Sequence, residues 1–281
     1  MTVSTIGLVL LAALLHASWN AFIKSGQDKM LSLALMHICS GVICLLLLPF
    51  VSLPHPDAWP YLALSLVLHW GYYWFLVNGY RSGDLGQVYP LSRGSAPLLV
   101  AIIGGAIAGE TLSFVALSGI VLASLGITAL SFEKGLPWQR DPRPVLFALG
   151  TGSWIAAYTI ADGLGVRHSE HEFGYILWLF ILEAITFGGF MAVRRRRVIR
   201  SYYLLNWRGL WISGLAAAGA YGLVIWAMSS NVMAMVSALR ETSVIMAVFI
   251  GGFMLKEHRL AFRVFSASLV VTGIVVMNLS H

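Results

Sequence analysis

The sequence predicts an all-α integral membrane fold: ten transmembrane helices arranged as two inverted five-helix repeats. Three observations predict it. Only 11% of the 281 residues are charged while 58% are hydrophobic, and the mean hydropathy is +0.81; a soluble domain carries about 25% charged residues. The charges sit in short connectors between apolar stretches of roughly twenty residues, the length that crosses a hydrocarbon core. Finally, the chain repeats itself. Ser82, Arg93, Gly104-Gly105, Glu110 and Gly126 recur, without a gap, as Ser229, Arg240, Gly251-Gly252, Glu257 and Gly273. Nearer the start of each half, Ala13-Leu14, Ser18-Trp19 and Ala21 match Ala148-Leu149, Ser153-Trp154 and Ala156.

The expected spans run over 3–24, 30–52, 59–80, 84–108, 111–132, 144–164, 172–193, 208–228, 231–255 and 259–279. They divide the chain into a first repeat over 1–132, a connector over 133–143 and a second repeat over 144–281. Because each repeat has an odd number of spans, the second enters the membrane upside down relative to the first.

The first span lacks a basic leader region and a small-residue cleavage site, so it is read as retained. It carries His16, Trp19 and Asn20; His16 and Asn20 are one turn apart and share a face. In the second, Cys39 and Cys44 are five positions apart on different faces, which argues for packing and against a disulfide or a metal. His37 falls toward one end of that span and is expected at the interface. In the third, His69 and Tyr73 share a face. The fourth holds Ser92 and Arg93 between Pro90, Gly94 and Pro97, a run expected to break the helix and free carbonyls toward a cavity. Glu110, after it, is expected to satisfy backbone amides at a helical turn.

The sixth span, the equivalent helix of the second half, carries Trp154 and Tyr158. Glu183 lies near the centre of the seventh, where a lone carboxylate is costly enough that protonation or an arginine partner is expected. The eighth contributes Tyr221 and a small-residue run, Ala216 to Gly222. The ninth contains the neighbours Arg240 and Glu241, about 100° apart on a helix and therefore not obliged to pair. The paired glycines Gly104-Gly105 and Gly251-Gly252 are expected where helices approach closely.

Fifteen of the 18 Lys and Arg residues lie in connectors that follow odd-numbered spans; Arg167 alone follows an even one, and Arg93 and Arg240 sit inside spans. The positive-inside rule puts the odd connectors in the cytoplasm and both termini outside. Basic residues at span ends meet headgroups, so the net charge of +6 implies no nucleic-acid partner.

A guanidinium inside a bilayer normally faces a protein interior or a water-filled cavity and marks a pathway. Two of them at matching places point to one polar site between the halves. The planar fork suits a carboxylate, phosphate or phosphonate, while Glu241 or Glu183 can meet an amino group. The expected substrate-binding residues are Arg93, Arg240, Glu241, Asn20, Trp19, Tyr73, Trp154, Tyr158, Tyr221 and Ser92, and the proton-coupling candidates are Glu183, Glu241 and His16. Neither cofactor nor metal is expected. The chain has no HExxH, Gly-rich phosphate loop or Gly-x-Ser-x-Gly elbow, which argues against an enzyme. A membrane enzyme or flippase acting on a lipid-linked head group is the alternative.

Ten spans in two halves, the Gly109-Glu110 turn echoed by Lys256-Glu257, and the Gly-rich last helix of each half resemble the drug/metabolite transporter superfamily, EamA type. Pro97 matches the family's usual proline before that turn; the second half has Val244 instead. The resemblance implies a secondary transporter in a bacterial-type inner membrane, moving a small solute such as an amino acid, phosphonate or organic phosphate. Its partners would be that solute, membrane lipid and protons, with the chain a monomer or homodimer. The family habit of cytoplasmic termini disagrees with the charge count.

Overall fold

The computed structural model describes residues 1–133, 135, 141–246 and 260–279. Among these the secondary structure is helical: α1 (Val3–Ser25), α2 (Lys29–Leu47), α3 (Trp59–Ser82), α4 (Leu85–Ala108), α5 (Phe114–Ala129), α6 (Arg143–Arg167), α7 (Glu172–Glu183), α8 (Gly189–Arg194), α9 (Ile199–Ser230), α10 (Met233–Arg240) and α11 (Leu260–Asn278). A π-helical turn, Ala184–Gly188, joins α7 to α8 into one membrane-length rod.

Eight helical segments are long and apolar enough to cross a membrane, and they fall at the places of eight expected spans. The third expected span is the 24-residue α3, whose His69, Tyr72, Tyr73 and Asn78 dilute its hydropathy. The ninth begins with α10. Gly251, Gly252 and Glu257 lie outside the described residues.

Short polar side chains start the helices. Thr2, Asp28, Asp84 and Ser113 each accept from a backbone N–H in the first turn of α1, α2, α4 and α5, satisfying donors that have no partner within the helix. Gly109 ends α4 with φ of 64°, a left-handed conformation that suits a residue without Cβ. Glu110, next in sequence, accepts from the N–H of Met233 at 3.1 and 3.0 Å and so caps α10 from the other half of the chain. Arg167 pairs with the same carboxylate and donates to Met228 O at 2.9 Å and Asn231 O at 2.8 Å. The expectation that Glu110 serves backbone amides holds, across the two halves.

Two expectations need correction. α4 runs unbroken through Pro90 and Pro97; each proline deprives only one carbonyl, and the i to i−4 bonds around it carry the helix through. The interruption lies in the other half. α10 stops at Arg240, Glu241 is a turn, and helix resumes over 242–246. There the Glu241 N–H is shared between Ser237 O at 3.3 Å and Ala238 O at 3.2 Å, the tightened geometry of a helix end. Second, Gly104 and Gly105 are not where helices touch most closely: a Cβ on Gly104 would meet nothing nearer than Glu110 Oε2 at 3.7 Å, and one on Gly105 would meet only Glu110 O, just past the end of its own helix, at 3.3 Å. The close approach is between α5 and α11, where a Cβ on Gly119 would collide with the backbone nitrogen of Met277, and one on Gly273 would lie 2.5 Å from Ala123 N.

The other large helix contacts pair α3 with α6, α4 with α6, α1 with α9, α4 with α5, and α2 with both α9 and α7. Apolar side chains face outward: Phe50 and Phe114 are each 84% exposed, Leu205 81%, as a lipid-facing surface requires. The ionisable groups of the spans are inside. Arg93, Arg240, Glu241, Asp162, Glu183, His37 and His69 are all buried.

Candidate functional site

Arg93, about a third of the way along α4, and Arg240, the last residue of α10, converge on one carboxylate. Arg93 Nε is 2.6 Å from Glu241 Oε2, and Arg240 Nη2 donates to Glu241 Oε1 at 3.3 Å. Arg240 and Glu241, which their spacing does not oblige to pair, do pair here. The turn at Glu241 swings its side chain back toward Arg240, so both oxygens are used. His16 of α1 places Nε2 3.3 Å from Arg93 Nη2. Rings flank the cations: Arg93 Cζ is 5.9 Å from the Tyr89 centroid and Arg240 Cζ 5.8 Å from that of Tyr221, within cation–π range.

Two guanidiniums share one carboxylate, so the cluster carries an excess positive charge. Arg93 and Arg240 are each 3% exposed and Glu241 is fully buried. Arg93 Nε touches Glu241 without hydrogen-bond alignment, and Arg240 Nε has no hydrogen-bond partner among the described residues. Glu241 Oε2 is likewise buried without an aligned hydrogen bond among the described residues. Positive charge exceeds negative charge at this centre, the condition that favours an anion.

A second polar centre lies beyond Tyr221. Its hydroxyl donates to Asp162 Oδ2 at 2.6 Å, and that of Tyr175 donates to Asp162 Oδ1 at 2.9 Å. The Tyr158 ring stands 5.8 Å from that of Tyr221, edge-on at 87°, and stacks on His69 at 4.1 Å. His69 in turn faces Glu183, with Nε2 3.6 Å from Oε1. Glu183 also meets His37 Nδ1 at 3.2 Å and accepts from Tyr73 OH at 3.3 Å. Glu183 is thus answered by two histidines and a tyrosine, not by an arginine. His37, expected at the interface, is 6% exposed because α2 packs against α7 and turns it inward.

The structure therefore brings together Arg93, Arg240, Glu241, His16, Tyr158 and Tyr221, with Tyr73 and Glu183 one layer away. Other expected site residues are elsewhere or satisfied. Asn20 donates to His16 O within its own helix and Ser92 to Tyr89 O. Trp19 packs edge-on against His16 at 4.9 Å. Trp154 is wedged between α3 and α6, 6.0 Å from Phe75 and facing Gly71. Asp162 is absent from the residues the sequence singles out. It carries a signal, being an acid inside the sixth span, but nothing in the sequence ties it to Tyr175 and Tyr221. Cys39 and Cys44 are buried and unbridged, consistent with packing.

No curated protein matches the chain. One solved crystal structure aligns over 100% of this chain and 98% of its own with a TM-score of 0.76 at 16% identity; that likeness shows the fold alone. Residues 3–132 match the EamA-like transporter family. Together with the many apolar spans, this shows a multi-pass membrane protein whose first half, residues 3–132, is similar to the EamA-like transporter family.

Proposed function

We propose that the chain is a secondary transporter that carries a small anionic or zwitterionic metabolite by alternating access, and that Arg93, Arg240 and Glu241 form its binding centre. The observation that carries this reading is the imbalance at Glu241, two buried guanidiniums against one carboxylate, with Arg240 Nε lacking a hydrogen bond among the described residues. A buried uncompensated cation is expensive, and an incoming carboxylate, phosphate or phosphonate would compensate it through two parallel hydrogen bonds. Glu241, held between the arginines, would meet the amino group of a zwitterion. Tyr158 and Tyr221 would wall the site.

The inverted arrangement of 1–132 and 144–281 belongs to the same proposal. Inversion exchanges the first span with the sixth and the third with the eighth, so contact of α1 with α9 requires a mirrored contact of α3 with α6. Both pairs are among the largest in the molecule. Arg93 and Arg240, matched in the repeat, meet near the centre, where such carriers bind their solute. In this arrangement the centre is shielded, so loading requires the halves to rock apart on one side at a time. The charge count favours both termini outside.

Thermal stabilisation of the purified protein tests the reading against inorganic phosphate, alkylphosphonates, dicarboxylates and amino acids. A ligand at 100 times its Kd adds about 2.7 kcal/mol of stability. One class should raise the unfolding temperature of the wild type and lose that effect in Arg240→Gln. Equal stabilisation of both proteins would remove Arg240 from the site.

A further inference from the structure

Glu183 is 4% exposed and stands at the point where α7 widens into the π-helical turn, a distortion frequent at functional positions. His37 faces it from α2, and His69 and Tyr73 face it from α3. Beyond His69, α6 brings Tyr158 and Asp162, and α9 brings Tyr221; Tyr175 of α7 bonds to Asp162. Among the described residues the cations nearest this layer are the arginines of the other centre, and Arg240 is reached only across the Tyr221 ring. Two buried carboxylates therefore have only histidines at hand to balance them.

The histidine geometry is more specific. His69 Nδ1 is 2.9 Å from the backbone carbonyl of Ser65. The Ser65 hydroxyl lies 3.2 Å from the same nitrogen and can accept as well as donate, whereas the carbonyl only accepts, so a hydrogen on Nδ1 is the arrangement that suits both contacts. If His69 is neutral, Nε2 then presents a lone pair to Glu183 Oε1. An ionised Glu183 would oppose that lone pair with its own. The contact is favourable only when one further proton lies between them, on the ring or on the carboxyl. His37 and Tyr73 extend the arrangement, with Tyr73 OH 2.9 Å from His37 Nε2 and 3.3 Å from Glu183 Oε1; Tyr73 can donate to either.

We propose that the His69–Glu183 pair is a one-proton site and that its proton is carried with the anion handled at Arg93, Glu241 and Arg240. The second half of this statement rests on the anion reading above. Loss of the proton leaves facing lone pairs between α3 and α7, which pushes these helices apart beside the π turn. The movement reaches the arginines through one aromatic wall: His69 stacks on Tyr158, Tyr158 abuts Tyr221, and Tyr221 lies under Arg240. The step is a proton transfer only, with no bond to the solute made or broken.

Two measurements on the full-length protein separate the two halves of the proposal. In lipid-embedded wild type, nitrogen NMR of labelled histidine, assigned with His69→Gln, reads the tautomer directly. At neutral pH His69 should hold hydrogens on both nitrogens, or hold Nδ1–H beside a carboxylic acid whose infrared band disappears in Glu183→Gln. A ring protonated on Nε2 alone, or a neutral Nδ1–H ring with no carboxylic acid band, overturns the proton site. The tautomer and the carboxylic acid band are read in the wild type, and the variants serve only to assign them. The second arm gives proteoliposomes at pH 5.5 on both sides a step of external inorganic phosphate, there a monoanion. Wild type should acidify the lumen by about one proton per phosphate taken up, and Glu183→Gln and Glu183→Asp should lose at least most of that acidification. Uptake without acidification overturns the coupling. Absence of phosphate uptake by the wild type counts against the anion reading, while the proton site still stands or falls on the NMR spectrum.

Discussion

Glu241 is where charge and stability are most tightly joined. It is fully buried and neutralises part of two guanidiniums that have no other carboxylate in contact among the described residues. Breaking a buried pair by removing one partner costs about 3–5 kcal/mol, because the remaining charge is stranded. Glu241→Gln should therefore lower the unfolding temperature more than Arg240→Gln, which leaves Arg93 and Glu241 paired one to one. Thermal unfolding of the two variants in the same detergent checks the order, and the reverse order would mean that Glu241 is not the counter-ion. Arg93, Arg240 and Glu241 are legible in the sequence because charges inside an apolar run stand out. Their mutual contacts are not, since a spacing of 147 residues says nothing about distance in space. Asp162 shows the same limit: its partners come from α7 and α9, and only packing selects them.

At the scale of elements, the spans follow from length and hydropathy, whereas their ends and irregularities follow from neighbours. α10 is short and begins with the Met233 N–H bonded to Glu110, a residue more than a hundred positions earlier in the chain. Losing a cap costs about 0.5–2 kcal/mol. Glu110→Ala should cost at least that, since it also strips Arg167 of its ion-pair partner. Glu110→Gln should cost less, because an amide oxygen still accepts from Met233 N. Chemical or thermal unfolding of the pair of variants would decide, and an unchanged midpoint in Glu110→Ala would show that α10 is held by packing alone. The contact of α5 with α11 yields a second test. Gly119→Leu places a branched side chain where the partner backbone already leaves no room for a Cβ, and overpacking of that kind typically costs about 1–3 kcal/mol. Gly104→Ala, whose Cβ would make only ordinary contacts at 3.7 Å and beyond, should be nearly neutral. The prolines of α4 suggest a break that does not occur, because a helix tolerates one missing bond when its flanks are packed. The true interruption at Glu241 carries no proline and so leaves no local sign.

At the scale of the molecule, the proposed inversion and the distribution of basic residues make one prediction about topology. With Cys39 and Cys44 replaced by Ala, a cysteine at Ser4 should react with an impermeant maleimide in intact cells, and one at Arg196 only after permeabilisation. The opposite pattern would place the termini in the cytoplasm and set the charge bias aside. The sequence by itself determined the class of the protein, its helical spans, the family resemblance and the existence of buried charge, because each depends on composition, periodicity or motif along the chain. Tertiary structure decided which buried groups meet: two arginines on Glu241, two histidines and a tyrosine on Glu183, two tyrosines on Asp162. Such pairings depend on which faces of distant helices turn toward one another. In a bilayer that choice is made by close packing and by the cost of leaving a polar group unsatisfied, quantities defined only once all the helices are in place.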